Sequence, residues 1–385
     1  MRISVAHEWL TNWGGSERVA AEIRDVAGAQ ELVVSVADRE LVAERFPDLP
    51  VRALWPSRLP SASTRWARYA APMIGAWATT RIEADALLVS SHFAAHFATA
   101  RFEGPSIVYY HTPARMLWCP EIELARLPPA VRGAVRGVIL PSMRRWDRRA
   151  AQFPTVVLGN STAVARRIAD AYGRHAEVLH PPVDVDRWSS VARESRSHLL
   201  WVGRLVAYKR PDLAIEVARR TGLPLVVVGD GPERARLERA APAHVRFLGH
   251  APESVVRDAL AHAGLLVFPG EEDFGIAPVE ALAAGVPVVA LARGGALDYV
   301  RPGENGVLVE EQEPEAFARA VRAAWTTSWD ERLIRESARR FSVDRFRAEF
   351  ASVLDATLGT AWRRRKVGSV RTISSGAVAS SPVAP

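Results

Sequence analysis

One cysteine, four methionines and two lysines are all that 385 residues contain of these types. The lone Cys119 cannot form an internal disulfide and has no ligand partners at zinc spacing, so it reads as a packing residue, and redox and zinc chemistry are set aside. No apolar run approaches the roughly 18 residues that span a bilayer. The opening Met1-Arg-Ile-Ser-Val-Ala6 reads as entry into a strand rather than as a signal peptide, which leads to the expectation of a cytoplasmic protein, at most peripheral on the inner face of the cell membrane. No Gly-x-Gly-x-x-Gly follows the first strand, which argues against a dinucleotide oxidoreductase. Asp273-Phe-Gly275 matches a kinase tripeptide, but no His-Arg-Asp loop or strand lysine accompanies it, and that reading is discarded.

Acid is scarce in one long stretch. Between Asp48 and Glu83 there is none, while Arg52, Arg58, Arg65, Arg68 and Arg81 share the segment with Trp55, Trp66, Tyr69, Met73, Ile74 and Trp77. That mixture reads as an interfacial helix on an anionic membrane surface over residues 52–81, extended by Arg144-Arg-Trp-Asp-Arg-Arg149. The net charge of +7 also raises a basic nucleic-acid binder as the non-enzyme alternative, but no zinc-finger, helix-turn-helix or RNA-recognition signature accompanies it, and no nucleic acid is expected. Only Lys209 and Lys366 are lysines; where arginine is so preferred, a lysine inside a motif marks a need for a compact point charge.

What is present in abundance is alternation of strand-like and helix-like runs, the pattern of parallel sheets covered on both faces. One series of strands runs from Arg2–Ala6 to Glu177–His180, and a second from His198–Val202 to Val307–Val309, separated by a polar linker from Pro181 to Ser197. Two doubly wound domains follow, 1–188 and 189–341, then a helix over 342–366 with Phe346, Phe350, Val353, Leu354 and Leu358 at core-facing spacing, and a disordered tail at 367–385. Asn160-Ser-Thr162 reads as a turn or helix cap rather than a glycosylation acceptor.

Ligands of open α/β sheets bind beyond the carboxyl ends of strands, so segments that follow strands carry the most weight. After the first strand comes Trp13-Gly-Gly-Ser-Glu17, where Gly14 and Gly15 admit close approach of a phosphate to a helix N-terminus. Val202-Gly-Arg-Leu-Val-Ala-Tyr-Lys209 supplies the planar fork of Arg204 and the point charge of Lys209, a pair suited to a diphosphate. Tyr110-His-Thr-Pro-Ala-Arg115 brings His111 to a strand end. Gly270-Glu-Glu-Asp-Phe-Gly-Ile-Ala-Pro-Val-Glu280 sets Glu272 and Glu280 around a helix start, with Pro278 expected at the first helical position. Carboxylates there accept from hydroxyls and N–H groups donate to phosphate, which suits a sugar nucleotide.

Glu272-x7-Glu280 with Phe274-Gly275 inside it resembles the signature of the retaining glycosyltransferases of family 4, and the order of the four segments strengthens the likeness. The His111-Thr-Pro-x-Arg115 segment is similar to the subgroup that builds O-antigen and polysaccharide chains, commonly from GDP-mannose. The resemblance implies a GT-B fold: two Rossmann-like domains facing an interdomain cleft, the first binding acceptor and the second the nucleotide sugar, with the C-terminal helix crossing back to the first. By resemblance, Arg204 and Lys209 clamp the departing diphosphate, His111 contacts the transferred sugar, and Glu272 binds sugar hydroxyls beside the backbone of Phe274, Gly275 and Ile276. Glu280 would hold the ribose, and Gly14 and Gly15 would approach the donor phosphate. Glu8 and Glu17 are the acceptor-side candidates. The implied reaction moves a hexose, mannose from GDP-mannose, to a hydroxyl of a lipid-linked or polysaccharide acceptor by front-side attack with retention. Two cations can neutralise the diphosphate and no Asp-x-Asp motif of the metal-dependent type is recognised, so no metal and no cofactor are expected. A UDP-sugar donor, or a nucleotide-sugar epimerase or phosphorylase, stays open as the alternative.

Overall fold

Leu87 and Val89 pack on one side of their strand while Ala86 and Leu88 pack on the other, and all four are buried. Strands apolar on both faces need cover on both faces, the condition that parallel sheets with crossover helices meet. The computed structural model describes residues 1–120, 124, 128–360, 362 and 363. The expected tail at 367–385 lies outside the described residues.

The first sheet contains β1 (Ile3–Leu10), β2 (Glu31–Ala37), β3 (Val51–Ala53), β4 (Ala86–Ser91), β5 (Ser106–Tyr110), β6 (Val156–Gly159) and β7 (Glu177–Val178), in the order β3-β2-β1-β4-β5-β6-β7. The second contains β8 (His198–Val202), β9 (Leu225–Val228), β10 (Val245–Gly249), β11 (Ala263–Phe268), β12 (Val288–Leu291) and β13 (Gly306–Val309), in the order β10-β9-β8-β11-β12-β13. Their pairings are parallel. In each sheet the strand order reverses once, between β1 and β4 and between β8 and β11. These are the switch points where an open sheet leaves a crevice. The fold is GT-B, as expected.

The helices that bear on the site are α1 (Gly15–Ala27), α2 (Ala70–Thr79), α3 (Leu140–Ala150), α4 (Ile276–Ala283) and α5 (Val343–Leu358). Helix α5 does return to the first domain: Phe346, Phe350 and Leu354 join the core formed by Ile3, Val5 and Tyr109, and Arg347 Nε lies 2.7 Å from Glu22 Oε2. It ends at Leu358, before Gly359, rather than running to 366.

Several expectations are corrected. Strand β1 continues to Leu10 instead of stopping at Ala6, because the polar side chains of His7 and Glu8 find partners in β4 and in the turn after it. The three-residue edge strand β3 is too short to show a periodicity. Residues 52–81 do not form one interfacial helix: they divide into the end of β3, a turn at Trp55–Arg58, the short segments Ala62–Arg65 and Trp66–Tyr69, and α2. Met73, Ile74 and Trp77 of α2 lie in the core rather than at a surface, so their apolar area is already withdrawn from water. Val183, Val185, Trp188 and Val191 pack with the second domain, which moves the domain junction upstream of 188, to about Pro181. There the chain crosses beside its own return, with Val183 N–H donating to Phe341 C=O at 2.9 Å.

Candidate active site between the two domains

Both switch points open onto one cavity of about 840 Å3. Its wall carries Trp9, His92 and Phe93 from the ends of β1 and β4, and Gly203, Arg204 and Glu272 from the ends of β8 and β11. The volume falls in the range of small-molecule sites. Two helix N-termini reach it from opposite domains, Gly15 and Ser16 at the start of α1, and Gly275 and Ile276 at the start of α4. Each presents N–H groups that have no acceptor within their own helix, an arrangement that favours an anion. Helix α4 begins at Ile276, so Pro278 occupies its third position, not its first. Gly15 sits so near the other domain that a Cβ there would stand 2.6 Å from Ile276 Cδ1.

The cavity gathers most of the residues expected from sequence: Gly14, Gly15, Glu17, His111, Arg204, Lys209, Glu272, Phe274, Gly275 and Ile276 all line it. Lys209 Nζ stands 2.9 Å from Glu272 Oε1, an ion pair without hydrogen-bond alignment. The Arg204 guanidinium is exposed to the cavity and has no protein partner among the described residues. Glu280 lies one turn further along α4, outside the lining, with Arg18 Nη1 of the first domain 3.9 Å from its Oε1. Burial pushes the Glu280 carboxyl above its ordinary value, against the opposing pull of Arg18 and Trp188. Hydroxyl donors would relieve that penalty.

The acceptor-side candidates are corrected. Glu8 is fully buried, and its Oε1 accepts from the backbone N–H groups of Phe93, Ala94 and Ala95 at 2.7–2.8 Å and from the Ser91 hydroxyl at 2.9 Å. That carboxylate anchors the turn after β4 and is out of an acceptor's reach. Glu17 lines the cavity, but its Oε2 is held by the Gly14 N–H and the Ser16 hydroxyl, each at 3.0 Å, so that oxygen fixes the Gly-Gly turn. Gly14 thus gives its N–H to Glu17 rather than leaving it for a phosphate. Asp184, which with Asp186 forms an Asp-x-Asp sequence, caps the helix Val185–Ser189 through the Arg187 N–H.

Other groups were not singled out from sequence. Arg115 closes the His111 segment and reaches across to Asp273, 2.8 Å away; Arg167 contacts the same carboxylate and lies 2.5 Å from Glu271. Position was the available signal, since Arg115 belongs to a strand-end motif and Asp273 sits between the two diagnostic glutamates. His92 faces His111 and His7 with ring centroids 5.9 and 6.1 Å apart. Burial holds His111 well below the usual imidazole value, with His92 and His7 adding to the effect, and burial lowers His92 as well.

Two family models tile the chain: one described as Glycosyltransferase Family 4 matches residues 13–187, and one described as Glycosyl transferases group 1 matches residues 183–341. The chain belongs to glycosyltransferase family 4. Among family relatives, the D-inositol 3-phosphate glycosyltransferase of Geodermatophilus obscurus is 36% identical over 200 residues, 43% of this chain and 44% of that protein. The GDP-mannose-dependent alpha-mannosyltransferase of Mycolicibacterium smegmatis is 34% identical over 201 residues, 49% of this chain and 52% of that protein. The chain thus spans about half the length of the curated relatives it matches. Among solved structures, Anabaena HepE in complex with UDP superposes with a TM-score of 0.68 at 18% identity, covering 92% of this chain and all of the other. That likeness concerns the GT-B fold.

Proposed function

We propose that this family 4 protein transfers a hexose, mannose from GDP-mannose, to a hydroxyl of a lipid-linked or polysaccharide acceptor with retention of anomeric configuration. The observation that carries the reading is the convergence of both sheets' switch points, two helix N-termini, Arg204 and Lys209 on one cavity. A nucleotide diphosphate has the charge for the N–H groups and cations, and a sugar has hydroxyls for Glu272. Identity of about a third to GDP-mannose-dependent mannosyltransferases over part of their length supports the choice of donor.

In this scheme the donor's diphosphate draws Lys209 from Glu272, and the released carboxylate accepts from sugar hydroxyls. The bond between the anomeric carbon and the phosphate oxygen breaks, and the acceptor oxygen bonds to that carbon on the same face. The acceptor's proton passes to the leaving diphosphate. Arg204, Lys209 and the α4 N–H groups stabilise the charge that grows there, in a site already organised to receive it. The two cations supply the neutralisation that a metal would, so the proposed reaction proceeds without one.

An anionic membrane surface is part of the proposal, moved from 52–81 to the helical stretch that ends in α3. A lipid-linked acceptor would be met there. Thermal-shift measurement against GDP-mannose, UDP-glucose and an ADP-sugar, followed by product analysis with membrane extract as acceptor, tests the donor reading. GDP-mannose is expected to raise the melting temperature most; a selective response to UDP-glucose replaces the donor, and no response to any of them removes the function.

A further inference from the structure

Ser90 Oγ lies 2.8 Å from His111 Nε2 and 3.0 Å from His7 Nδ1. A hydroxyl has one hydrogen, so it donates to one imidazole and accepts from the other, and the direction of one bond sets the direction of both. The other nitrogen of His7 decides that direction. His7 is fully buried in β1, and its Nε2 has no hydrogen-bond partner among the described residues but faces Glu17 Oε1 at 3.9 Å. Glu17 is itself 2% exposed. Burial favours its neutral form, but the neighbouring His7 and the backbone outweigh burial and hold its pKa below the ordinary carboxyl value.

A carboxylate beside Nε2 draws the imidazole hydrogen to that nitrogen. His7 Nδ1 is then a lone pair that accepts from the Ser90 hydroxyl, and Ser90 Oγ accepts from His111 Nε2–H. The His111 ring lines the cavity, and its Nδ1 is left with a lone pair. An imidazolium at His7 would reverse the chain and leave the His111 hydrogen on Nδ1.

We propose that Glu17, His7 and Ser90 are positioning residues that fix His111 with Nε2 as donor and Nδ1 as acceptor, so that His111 takes a hydrogen bond from a hydroxyl of the sugar in the cleft. The ligand in this statement rests on the glycosyl-transfer reading; the tautomer does not. His92, the other imidazole facing the pair, is half-buried between them and Trp9, and its pKa is lowered, first by burial, so it adds no charge that would compete with Glu17.

The test is the imidazole nitrogen spectrum of the 15N-labelled full chain at pH 7.5. In the wild-type protein His111 is expected to carry its hydrogen on Nε2; a hydrogen on Nδ1 overturns the proposal. Glu17→Gln turns an amide N–H toward His7 Nε2, which must then accept, and the His111 hydrogen is expected to move to Nδ1. An unchanged His111 spectrum in the folded variant overturns the coupling. Ser90→Ala breaks the chain, so adding Glu17→Gln to it is expected to leave the His111 tautomer unaltered, and a shift there overturns Ser90 as the link. With GDP-mannose and acceptor, Glu17→Gln is expected to lower kcat/KM at least tenfold. If the wild-type protein turns over no sugar nucleotide, the functional reading fails while the tautomer result stands on its own.

Discussion

Arg115 Nη2 and Asp273 Oδ2 are 2.8 Å apart, and they belong to different domains. Burial works against the Arg115 charge, yet the Asp273 charge and hydrogen bond outweigh it and raise the guanidinium pKa above its ordinary value. Arg115 also stacks over Tyr208 of the second domain, 5.1 Å from ring centroid to guanidinium carbon. Asp273 therefore acts as a clasp for two arginines of the first domain, Arg115 and Arg167. Asp273→Asn leaves Arg115 without its anion and Arg167 with Glu271 alone. The pair is partly exposed, so the expected loss is about 1–2 kcal/mol rather than the larger cost of breaking a fully buried pair. A larger radius of gyration in solution scattering and a raised KM for the donor are expected; unchanged scattering and KM would refute the clasp.

In the proposed reaction Arg204 and Lys209 stabilise a charge that exists only as the diphosphate leaves. Arg204→Ala and Lys209→Ala are each expected to reduce kcat by about 2–4 kcal/mol of transition-state stabilisation, the scale of losing one preorganised donor. Lys209→Ala also frees Glu272, whose carboxylate would then repel the donor phosphates, so this variant is expected to raise KM as well. Steady-state kinetics with GDP-mannose provide the check, and activity within threefold of wild type in either variant rejects the clamp.

The sheets were legible because buried strands leave unbroken apolar runs, as at Leu265–Phe268, and the four strand-end motifs converge because switch-point topology places strand ends together. Illegible were the places where polar residues serve the fold. Glu8 looked like a free acid after a strand, since nothing in its neighbours shows that the turn at 92–95 would fold over it. The interfacial reading of 52–81 failed for the opposite reason: Trp77 and Met73 have the composition of a membrane face, and only tertiary contact reveals that a core receives them. Arg115 and Asp273 stand 158 positions apart, so no local pattern announces their pairing.

Acid sensitivity should come from imidazoles. His92, His111 and His198 all have folded values below the ordinary imidazole value of 6.5, with burial the leading cause in each. Below pH 6.5 the unfolded chain binds protons that the folded chain refuses. The stabilisation is thus present above that value and is lost as pH falls toward the folded values, at up to about 1.4 kcal/mol per pH unit for each fully shifted group. Melting temperature is expected to decline between pH 6.5 and 5.5, before carboxylates contribute. The double variant His92→Gln, His111→Gln should flatten that decline; an equally steep one would assign the loss elsewhere.

The loop bearing Glu272 is braced from behind. Gly295 N–H donates to Glu272 C=O at 2.9 Å, and a Cβ on Gly295 would stand 2.3 Å from both Cα and O of Phe274. Backbone cannot move aside as a side-chain tip can. Gly295→Ala is expected to displace residues 271–275, costing about 1–3 kcal/mol as overpacking does, and to raise the donor KM more than tenfold. Retention of wild-type KM and melting temperature would show that the loop is not held by this contact.

The basic surface survives in a different place. Residues Pro129–Ala134 and α3 are joined through a wide turn at Val135–Ile139, and on this stretch Val138, Ile139 and Trp146 are 68%, 48% and 53% exposed. Arg136, Arg145 and Arg149 are exposed beside them, while Asp147, the one acid in 128–150, is buried against Trp118 and His96. Within residues 128–150 the exposed side is therefore apolar and positive, the combination that binds anionic headgroups. Vesicle flotation is expected to recover the protein with anionic but not with neutral lipid. Arg145→Glu with Arg149→Glu should cut that recovery at least tenfold, given about 1 kcal/mol for each basic residue near the surface. Equal recovery with both lipids, or no effect of the two reversals, would remove the electrostatic contact.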